Sequence, residues 1–539
     1  MAYNEFSNTL QNRSLKRSQQ STPISVAIIG PCSAITGGSL GVVYQGIGSS
    51  NVISTLGVGP APDCAQIMLN AGLTSVDVYP TIGPVGDAGY LSASGVMTHT
   101  GTGSATATIS GTPLDDYLLR IEATSTASYR VSFDDGLTWA STIVSSTSPQ
   151  VLYVRAPNDT TNRISSGLSV TLSSATLVAG DVYTLAVFAP SIGVTAATAG
   201  MLPDAFAKLL ATGKKYSHII ICRPWTYAST DAANVPALQS NLVSLVSTQI
   251  GTWTSAGVFA RVVMGFPLSI TSLGTAGAET DTAFQLLTSS ITTKDERIWM
   301  SYGHYLTSSL SSCQMWRDVS WALVARQIQV GPGVAVYRAS DGPINVAAPG
   351  PNPVPATSTG YTATIRNYGG VCSLGCTYDE RASTLGNSNG YMSSQGLVCL
   401  TTDVAAPAQN VFYFPQANAH CDPTSDFFEL QYGLLMDLFM TYGNQALFAQ
   451  YKGAKLATKQ DGTGQITNNQ ATIIENYFTQ ELSKLMVDPG WIPAAQPGNA
   501  FANVDRTVNF ASTQKLVGKY GFWAPNYVKF FQNTFSLNL

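Results

Sequence analysis

Charged side chains make up only 11% of this 539-residue chain, against about 25% in ordinary soluble domains. A surface so poor in charge suits lasting burial against neighbouring molecules in a large assembly. No run of about 18 apolar residues occurs, so no membrane-crossing helix is expected. The first residues, Met-Ala-Tyr-Asn-Glu, lack the apolar core of a signal peptide, and synthesis in the cytoplasm is the expectation. Eight cysteines scattered over this length read as reduced core residues, not as a disulfide frame.

Catalytic and cofactor patterns are equally scarce. The turn Ile35-Thr-Gly37-Gly38-Ser-Leu-Gly41 follows a buried-strand signal, but it is not G-x-G-x-x-G and no Walker lysine follows. Cys372 and Cys376, with Cys399, His420 and Cys421 further on, do not make a zinc-finger spacing. His218 sits in one strand signal and His304 follows another, yet no G-x-S-x-G elbow or partner carboxylate singles them out, and both read as structural. The expectation is no enzyme, no metal and no cofactor.

What charge there is lies unevenly. Residues 1–22 carry Arg13, Lys16 and Arg17 against Glu5, and residues 503–539 carry Arg506, Lys515, Lys519 and Lys529 against Asp505. The ends are therefore +2 and +3, leaving −9 on the body of a chain whose total is −4. Basic ends and an acidic body favour ends docking on neighbouring bodies. Residues 1–22 are polar and aperiodic, an extended arm that should not fold alone. At the other end, Val504 to Phe510 alternates as a strand, and the aromatic run Tyr520 to Phe531 must be covered by its own body or by a neighbour.

Between the ends, strand and helix signals alternate. Val26 to Gly30, Val76 to Tyr79, Tyr216 to Cys222, Gly257 to Met264 and Arg297 to Tyr302 read as strands. Pro62-Asp63 begins a short helix, Ala65 to Ala71, and Pro203 to Leu210, Pro236 to Gln249, Thr280 to Ser289 and Met315 to Gln329 also read as helices. That pattern implies an open, largely parallel or mixed sheet flanked by helices. From about 81 to 192 the texture becomes Thr, Ser, Gly and short alternating runs, an all-β module of the sandwich or barrel type inserted into the α/β layer. Residues 331–420 are loop-rich. A helix is expected to start at Thr424-Ser-Asp426-Phe-Phe-Glu429, apolar nearly all round, and a second to run from Ala471 to Met486. The expected divisions are 1–22, 23–85, 86–192, 193–420, 421–502 and 503–539.

The β-module contains Ser132-Phe-Asp134-Asp135-Gly136-Leu-Thr138-Trp139, which fits the S-x-D-x-G-x-T-W pattern of an Asp box. The box is a turn device: Asp-Gly suits a tight hairpin, Gly accepts positive φ, and Trp packs beneath. A sialidase propeller would repeat the box at a fixed period, whereas this chain has one. Ser132, Asp134, Gly136 and Trp139 are therefore read as structural. A glycan-binding or glycan-hydrolysing surface protein stays as the second reading.

Within the module, Gly111-Thr-Pro113, the hairpin 132–139, Ser166-Gly-Leu-Ser-Val-Thr-Leu172, Ala179-Gly-Asp-Val-Tyr-Thr184 and Ala189-Pro190 follow in an order that resembles the β-domain of bacteriophage contractile-tail sheath proteins. Val26-Ala-Ile-Ile-Gly30 followed by Gly57-Val-Gly59-Pro-Ala-Pro-Asp63 is similar to the first part of the sheath core. The resemblance implies a structural subunit of a virion tail or phage-like injection system. Stacked hexameric rings would surround a tail tube and contract, with no nucleotide, to drive it through the target envelope. Implied partners are neighbouring copies, the tube, the baseplate and the tail terminator, with no direct nucleic acid and no stable membrane insertion. Sheath subunits exchange terminal arms that add strands to a neighbour's sheet. The matching contact residues here are Tyr3, Phe6, Arg13, Lys16 and Arg17 in the first arm. In the last they are Arg506, Val508, Phe510, Lys515, Lys519, Phe522, Trp523, Tyr527, Phe530 and Phe531. Removing residues 1–22, or everything after Gln514, is expected to leave a folded body unable to polymerise.

Overall fold

The computed structural model describes residues 24–33, 40–81, 95–155, 163–189, 192, 194, 198–222, 226–227, 235–266, 268–269, 291–337, 344, 346–350, 373–374, 396–398, 400–402, 412–414, 417–487, 491, 500–523 and 530–538. The predicted helix Thr280 to Ser289 and most of the loop-rich stretch lie outside them.

The chain opens with β1 (Val26–Gly30), β2 (Tyr44–Ile47), α1 (Val52–Leu56), α2 (Pro60–Asn70) and β3 (Val76–Pro80). Helix α2 begins at Pro60, two residues before the expected start at Pro62-Asp63, because Gly59 at φ 127° turns the chain and prolines occupy the first helical turn. There follow β4 (Thr98–Thr100), β5 (Ala107–Gly111), β6 (Tyr117–Ser125), β7 (Ser128–Ser132), β8 (Ile143–Val144), β9 (Gln150–Arg155), β10 (Arg163–Leu172) and β11 (Val182–Val187). Next come α3 (Leu202–Ala211), β12 (His218–Ile221), β13 (Thr226–Tyr227), α4 (Val235–Ser255), β14 (Arg261–Phe266), β15 (Leu268–Ser269) and β16 (Ile298–Tyr302). The middle ends with β17 (His304–Ser308), β18 (Gln314–Asp318), α5 (Val319–Val330), β19 (Ser373–Leu374), β20 (Leu397–Val398), β21 (Thr401–Thr402) and β22 (Phe412–Tyr413). Last are α6 (Leu430–Tyr451), α7 (Asn468–Leu482) running into a π turn (Ser483–Val487), β23 (Ala500–Val504), α8 (Phe510–Thr513), β24 (Lys515–Trp523) and β25 (Phe530–Asn538).

Seven strands form the central sheet in the order β2-β3-β1-β12-β14-β16-β20, parallel except for β2. Apart from the antiparallel edge strand β2, whose Gln45 and Gly46 are exposed, its strands are buried on both faces and read as largely apolar runs. Successive residues point to opposite sides. Val26 and Ile28 join one core with Ala61 and Ala65 of α2 and Leu323 of α5, while Ala27 and Ile29 join another with Phe206 of α3 and Val246 of α4. Strand β1 pairs with β3 on one side and β12 on the other. The chain thus leaves the sheet after β3, builds strands β4 to β11, and returns to the opposite side of β1.

That excursion makes two antiparallel sheets, β5-β10-β9 and β4-β11-β6-β7-β8. Tyr117, Leu119 and Ile121 of β6, Tyr129 and Val131 of β7, and Leu168 and Val170 of β10 are buried in one continuous cluster that runs into the core of the central sheet.

Three expected elements are corrected. Met315 to Gln329 is not one helix: residues 314–318 pair antiparallel with β17, and the helix starts at Val319, capped by the Asp318 carboxylate accepting from Ser320 N. Apolar spacing alone does not separate a strand from a helix that follows it without a loop. Residues 423–427 turn, with Asp422 accepting from Thr424 N and Oγ1, Glu429 bridges Asn418, and α6 begins at Leu430. Val504 to Phe510 is not a strand. Val504 ends β23, Asp505 accepts from Thr507 N and Oγ1, and Asn509 caps the short α8. In each case an Asp or Asn side chain takes up backbone donors that a regular element would have used.

Candidate functional site

The final strands form a three-stranded antiparallel sheet in the order β23-β24-β25. Strand β24 is the centre, and its even positions point into the chain's own core. Leu516, Tyr520 and Phe522 are buried with Phe439 of α6 and Phe478 of α7. Phe522 lies 4.6 Å from the Phe439 ring centroid, and Tyr520 lies 4.8 Å from that of Phe478. Gly443 of α6 makes room for this packing, since a Cβ there would stand 3.1 Å from the Tyr520 ring. The aromatic load at the C-terminus is thus covered, at Tyr520 and Phe522, by the chain's own helices.

The odd positions Lys515 and Lys519 are exposed. Beside them a cleft of about 370 Å³ is lined by Asp505, Arg506, Val517 and Lys519, among others. Arg506 is pinned to its own chain, with Nη2 2.7 Å from Glu475 Oε2 of α7. Val508 and Phe510 are half-buried around α8. Strand β25 pairs with β24 along all nine residues, from Lys515↔Asn538 to Trp523↔Phe530, with Phe522↔Phe531 between. Tyr527 and the first-arm residues Tyr3, Phe6, Arg13, Lys16 and Arg17 lie outside the described residues.

A second place where distant segments meet is the seam between β-module and central sheet. Asp135 (φ 53°) and Gly136 (φ 90°) give the paired positive φ values of a type I′ turn, with Leu137 N donating to Asp134 O at 3.3 Å, but the turn sits within the ten-residue connection from β7 to β8 and does not join them as a tight hairpin. Ser132 Oγ donates to Asp134 Oδ1 at 2.7 Å, and Thr138 N and Oγ1 donate to the two oxygens of Asp134 at 2.8 and 2.6 Å. Trp139 packs under the guanidinium of Arg130, 4.1 Å from its ring centroid. Asp134 also accepts from Gln314 N of β18 at 2.8 Å, 180 residues away. The Asp134 carboxylate is therefore buried, with both its oxygens engaged by its own chain, while Asp135 beside it is exposed.

Next to it, Arg317 of β18 holds two carboxylates at once. Its Nη1 and Nη2 donate to Asp115 at 2.8 and 2.7 Å, and its Nε donates to Asp63 of α2 at 3.0 Å, with a further bond from Nη2 to Asp63. Asp63 also accepts from Leu310 N. All three side chains are at most 3% exposed. Burial, with the like charge of Asp115 outweighed by Arg317, leaves the Asp63 carboxyl pushed up to about 6. The sequence reading missed this cluster, although Arg317-Asp318 amid Met315, Trp316, Val319 and Trp321 is a pair of charges in an apolar run, which signals a buried partner.

His218 and His304 are fully enclosed, and burial, with Arg261 and Arg317 respectively adding to it, holds each imidazole down to about 3. They are neutral packing groups, His218 edge-on to Trp299 at 4.9 Å. His420 and Cys421 are buried, whereas Cys372, Cys376 and Cys399 lie outside the described residues. Among the described residues no three His, Cys, Asp or Glu converge as metal ligands, and no helix is long and apolar enough to cross a membrane. The loop 34–39 with most of the glycine turn is also outside them.

No family model matches the chain, and no curated protein matches it. Among solved structures it is similar to a sheath tail protein from Listeria innocua, at 11% identity and a TM-score of 0.46 over 98% of each chain. It is also similar to a sheath tail protein from Desulfitobacterium hafniense, at 11% identity and a TM-score of 0.43 over 96% of this chain and 98% of that one. The helical sheath of the anti-feeding prophage in its contracted state matches at 7% identity and a TM-score of 0.43, over 96% and 95%.

Proposed function

We propose that this chain is the structural subunit of a contractile tail sheath, polymerising helically around a tail tube, with residues 1–22 and the C-terminal sheet making the contacts between copies. The observation that carries this reading is strand β25. It ends the terminal sheet, and its nine residues, Phe-Phe-Gln-Asn-Thr-Phe-Ser-Leu-Asn, include no charge, proline or glycine. Edge strands of monomeric proteins are normally blunted by such residues, because an open row of N–H and C=O groups pairs with any extended chain presented to it. A long neutral edge fits a protein whose sheet is completed by another copy. The low charge of the whole chain and the order of motifs in the β-module support the same reading. The partners would then be neighbouring subunits, the tube, the baseplate and the terminator, at the virion tail.

Negative-stain imaging of the purified full-length chain tests it. Hollow ribbed cylinders are expected. A chain ending at Trp523 keeps Leu516, Tyr520 and Phe522 and should remain folded but form no cylinders. Cylinders of normal length from that truncation would remove the role given to β25.

A further inference from the structure

Between α6 and the ends at which β12 and β14 begin lies a cavity of about 140 Å³. Phe259, Leu434 and Leu438 form its apolar walls, and Lys215, Thr441 and Gln445 belong to its polar lining. An apolar cavity of about 150 Å³ holds a molecule the size of benzene, so there is room here for one ring. The charges around it do not balance. Among the lining residues Asp437 is the one acid, and its carboxylate is already held by Arg261 Nε at 2.6 Å, with Arg297 Nη2 3.7 Å from the other oxygen. Arg297 also stands over Phe259, 5.9 Å from the ring centroid, and its buried Nε has no hydrogen-bond acceptor among the described residues. Lys214 takes Asp77, whereas no acid among the described residues pairs with Lys215. Ser25 Oγ donates to the Lys215 carbonyl at 2.5 Å and fixes the backbone from which that side chain extends. Partial burial holds the Lys215 ammonium below the ordinary lysine range, as befits a charge drawn from water with no anion beside it.

We propose that this cavity is a binding site for a small carboxylate with an apolar body about one ring in size, the carboxylate lying at Lys215 and the body against Phe259, Leu434 and Leu438. The carboxylate supplies the partner that Lys215 lacks, and the ring takes the apolar walls out of water. The Thr441 hydroxyl and the Gln445 amide are further donors in the lining. An inorganic anion would satisfy the lysine but leave the walls wet, and a neutral ring would do the reverse. The bound molecule touches both the start of β12 and α6. It therefore reinforces the Arg261–Asp437 contact that holds α6 to the central sheet, and with α6 the terminal sheet, whose Phe522 packs on Phe439.

Benzoate is the probe and benzyl alcohol its neutral counterpart, each titrated into the full-length chain and followed by saturation-transfer NMR. Benzoate should bind saturably and about tenfold more tightly than benzyl alcohol, as a hydrogen bond to a charged group warrants. Lys215→Met keeps the aliphatic stem and removes the ammonium. It should bring benzoate to the affinity of benzyl alcohol and leave benzyl alcohol unchanged. Thr441→Trp places an indole in the cavity and should abolish binding of both. Lys215 is exposed and Thr441 half-buried, so both variants should fold, which their far-ultraviolet circular dichroism checks. Benzoate should also raise the melting temperature of the parent chain but not of Lys215→Met, since a ligand of the folded state stabilises it. Absence of saturable benzoate binding overturns the proposal, and so does equal benzoate affinity with and without Lys215. Binding of both probes that survives Thr441→Trp puts the site elsewhere and overturns it as well.

Discussion

A single guanidinium, that of Arg317, holds together segments 63, 115 and 317 that are remote in sequence. Breaking a buried ion pair from one side leaves the other charge without a partner, at a cost of about 3–5 kcal/mol. Arg317→Met strands two carboxylates, so it should lower the free energy of unfolding by at least that amount in urea titration. A loss below about 1 kcal/mol would mean the cluster contributes little. Arg261, the first residue of β14, plays a corresponding part towards α6. Its Nε donates to Asp437 of α6 at 2.6 Å and its Nη1 to Glu296 O, and the guanidinium lies against Gly433, where a Cβ would meet Nη1 at 2.4 Å. Gly433→Ala should therefore destabilise by about 1–3 kcal/mol through displacement of the guanidinium, despite the better helix propensity of Ala. Differential scanning calorimetry showing a raised melting temperature would contradict this. The buried titrating groups set an unusual pH profile. His218 and His304, held down to about 3, are neutral in the folded chain while the unfolded chain protonates near 6.5, so their contribution is lost as the pH falls from 6.5 towards 3. Asp63 and Asp318, raised to about 6, bind protons in the folded chain first, so their contribution grows as the pH falls from 6 to about 4. The two effects largely offset, and unfolding free energy should decline only shallowly between pH 6.5 and 4. Asp318→Asn removes one offsetting group. It should steepen that decline while leaving the chain more stable at pH 7.5, as urea titrations at a series of pH values would show.

At the level of elements, what could be read from the sequence is what local chemistry decides. Val26 to Gly30 is apolar on both sides because both faces of β1 are covered, and Asp135-Gly136 folds as the turn its φ preferences require. The alternation of Tyr117, Leu119 and Ile121 gives a half-buried strand, as period two predicts. What stayed hidden depends on partners distant in sequence. Met315 to Asp318 becomes a strand because His304 to Ser308 lies beside it, and Val504 to Phe510 breaks because Asp505 and Asn509 capture backbone donors. The fate of the C-terminal segment is the largest such change. Its aromatics could have been covered by a neighbour, but Leu516, Tyr520 and Phe522 sit between α6, α7 and β23 of the same chain. A truncation after Gln514 should therefore not leave the folded body expected from charge and composition. It uncovers three large side chains, each contributing about 1.5–3 kcal/mol of apolar burial, and empties the centre of the sheet. Ending the chain at Gln514 should give aggregated or protease-sensitive protein, whereas ending it at Trp523 should give a protease-resistant core. Equal resistance of the two truncations in limited proteolysis would show that β24 is dispensable to the fold.

On the scale of the whole molecule, the distribution of charge and the placement of the ends act together. The body carries −9, whereas residues 503–539 carry +3, with Lys515 and Lys519 exposed on the outer face of the terminal sheet and Arg506 already paired with Glu475. Among the described residues of the C-terminal end, Lys515 and Lys519 are thus the exposed cations that would face a neighbouring acidic body, with the basic first arm carrying further charge. Main-chain pairing along β25 is indifferent to salt, but attraction between exposed charges is screened over about 10 Å at 0.1 M ionic strength and about 3 Å at 1 M. If the ends join copies, assembly should combine both terms. Raising salt should slow polymerisation and raise the concentration at which it starts, without abolishing it. Lys515→Gln with Lys519→Gln should reproduce the high-salt behaviour at low salt while leaving unfolding free energy within about 0.5 kcal/mol of the parent, since neither side chain is buried. Light scattering against protein concentration at two ionic strengths measures both effects. A critical concentration independent of salt and of the double substitution would leave strand pairing as the sole contact made by the C-terminal sheet.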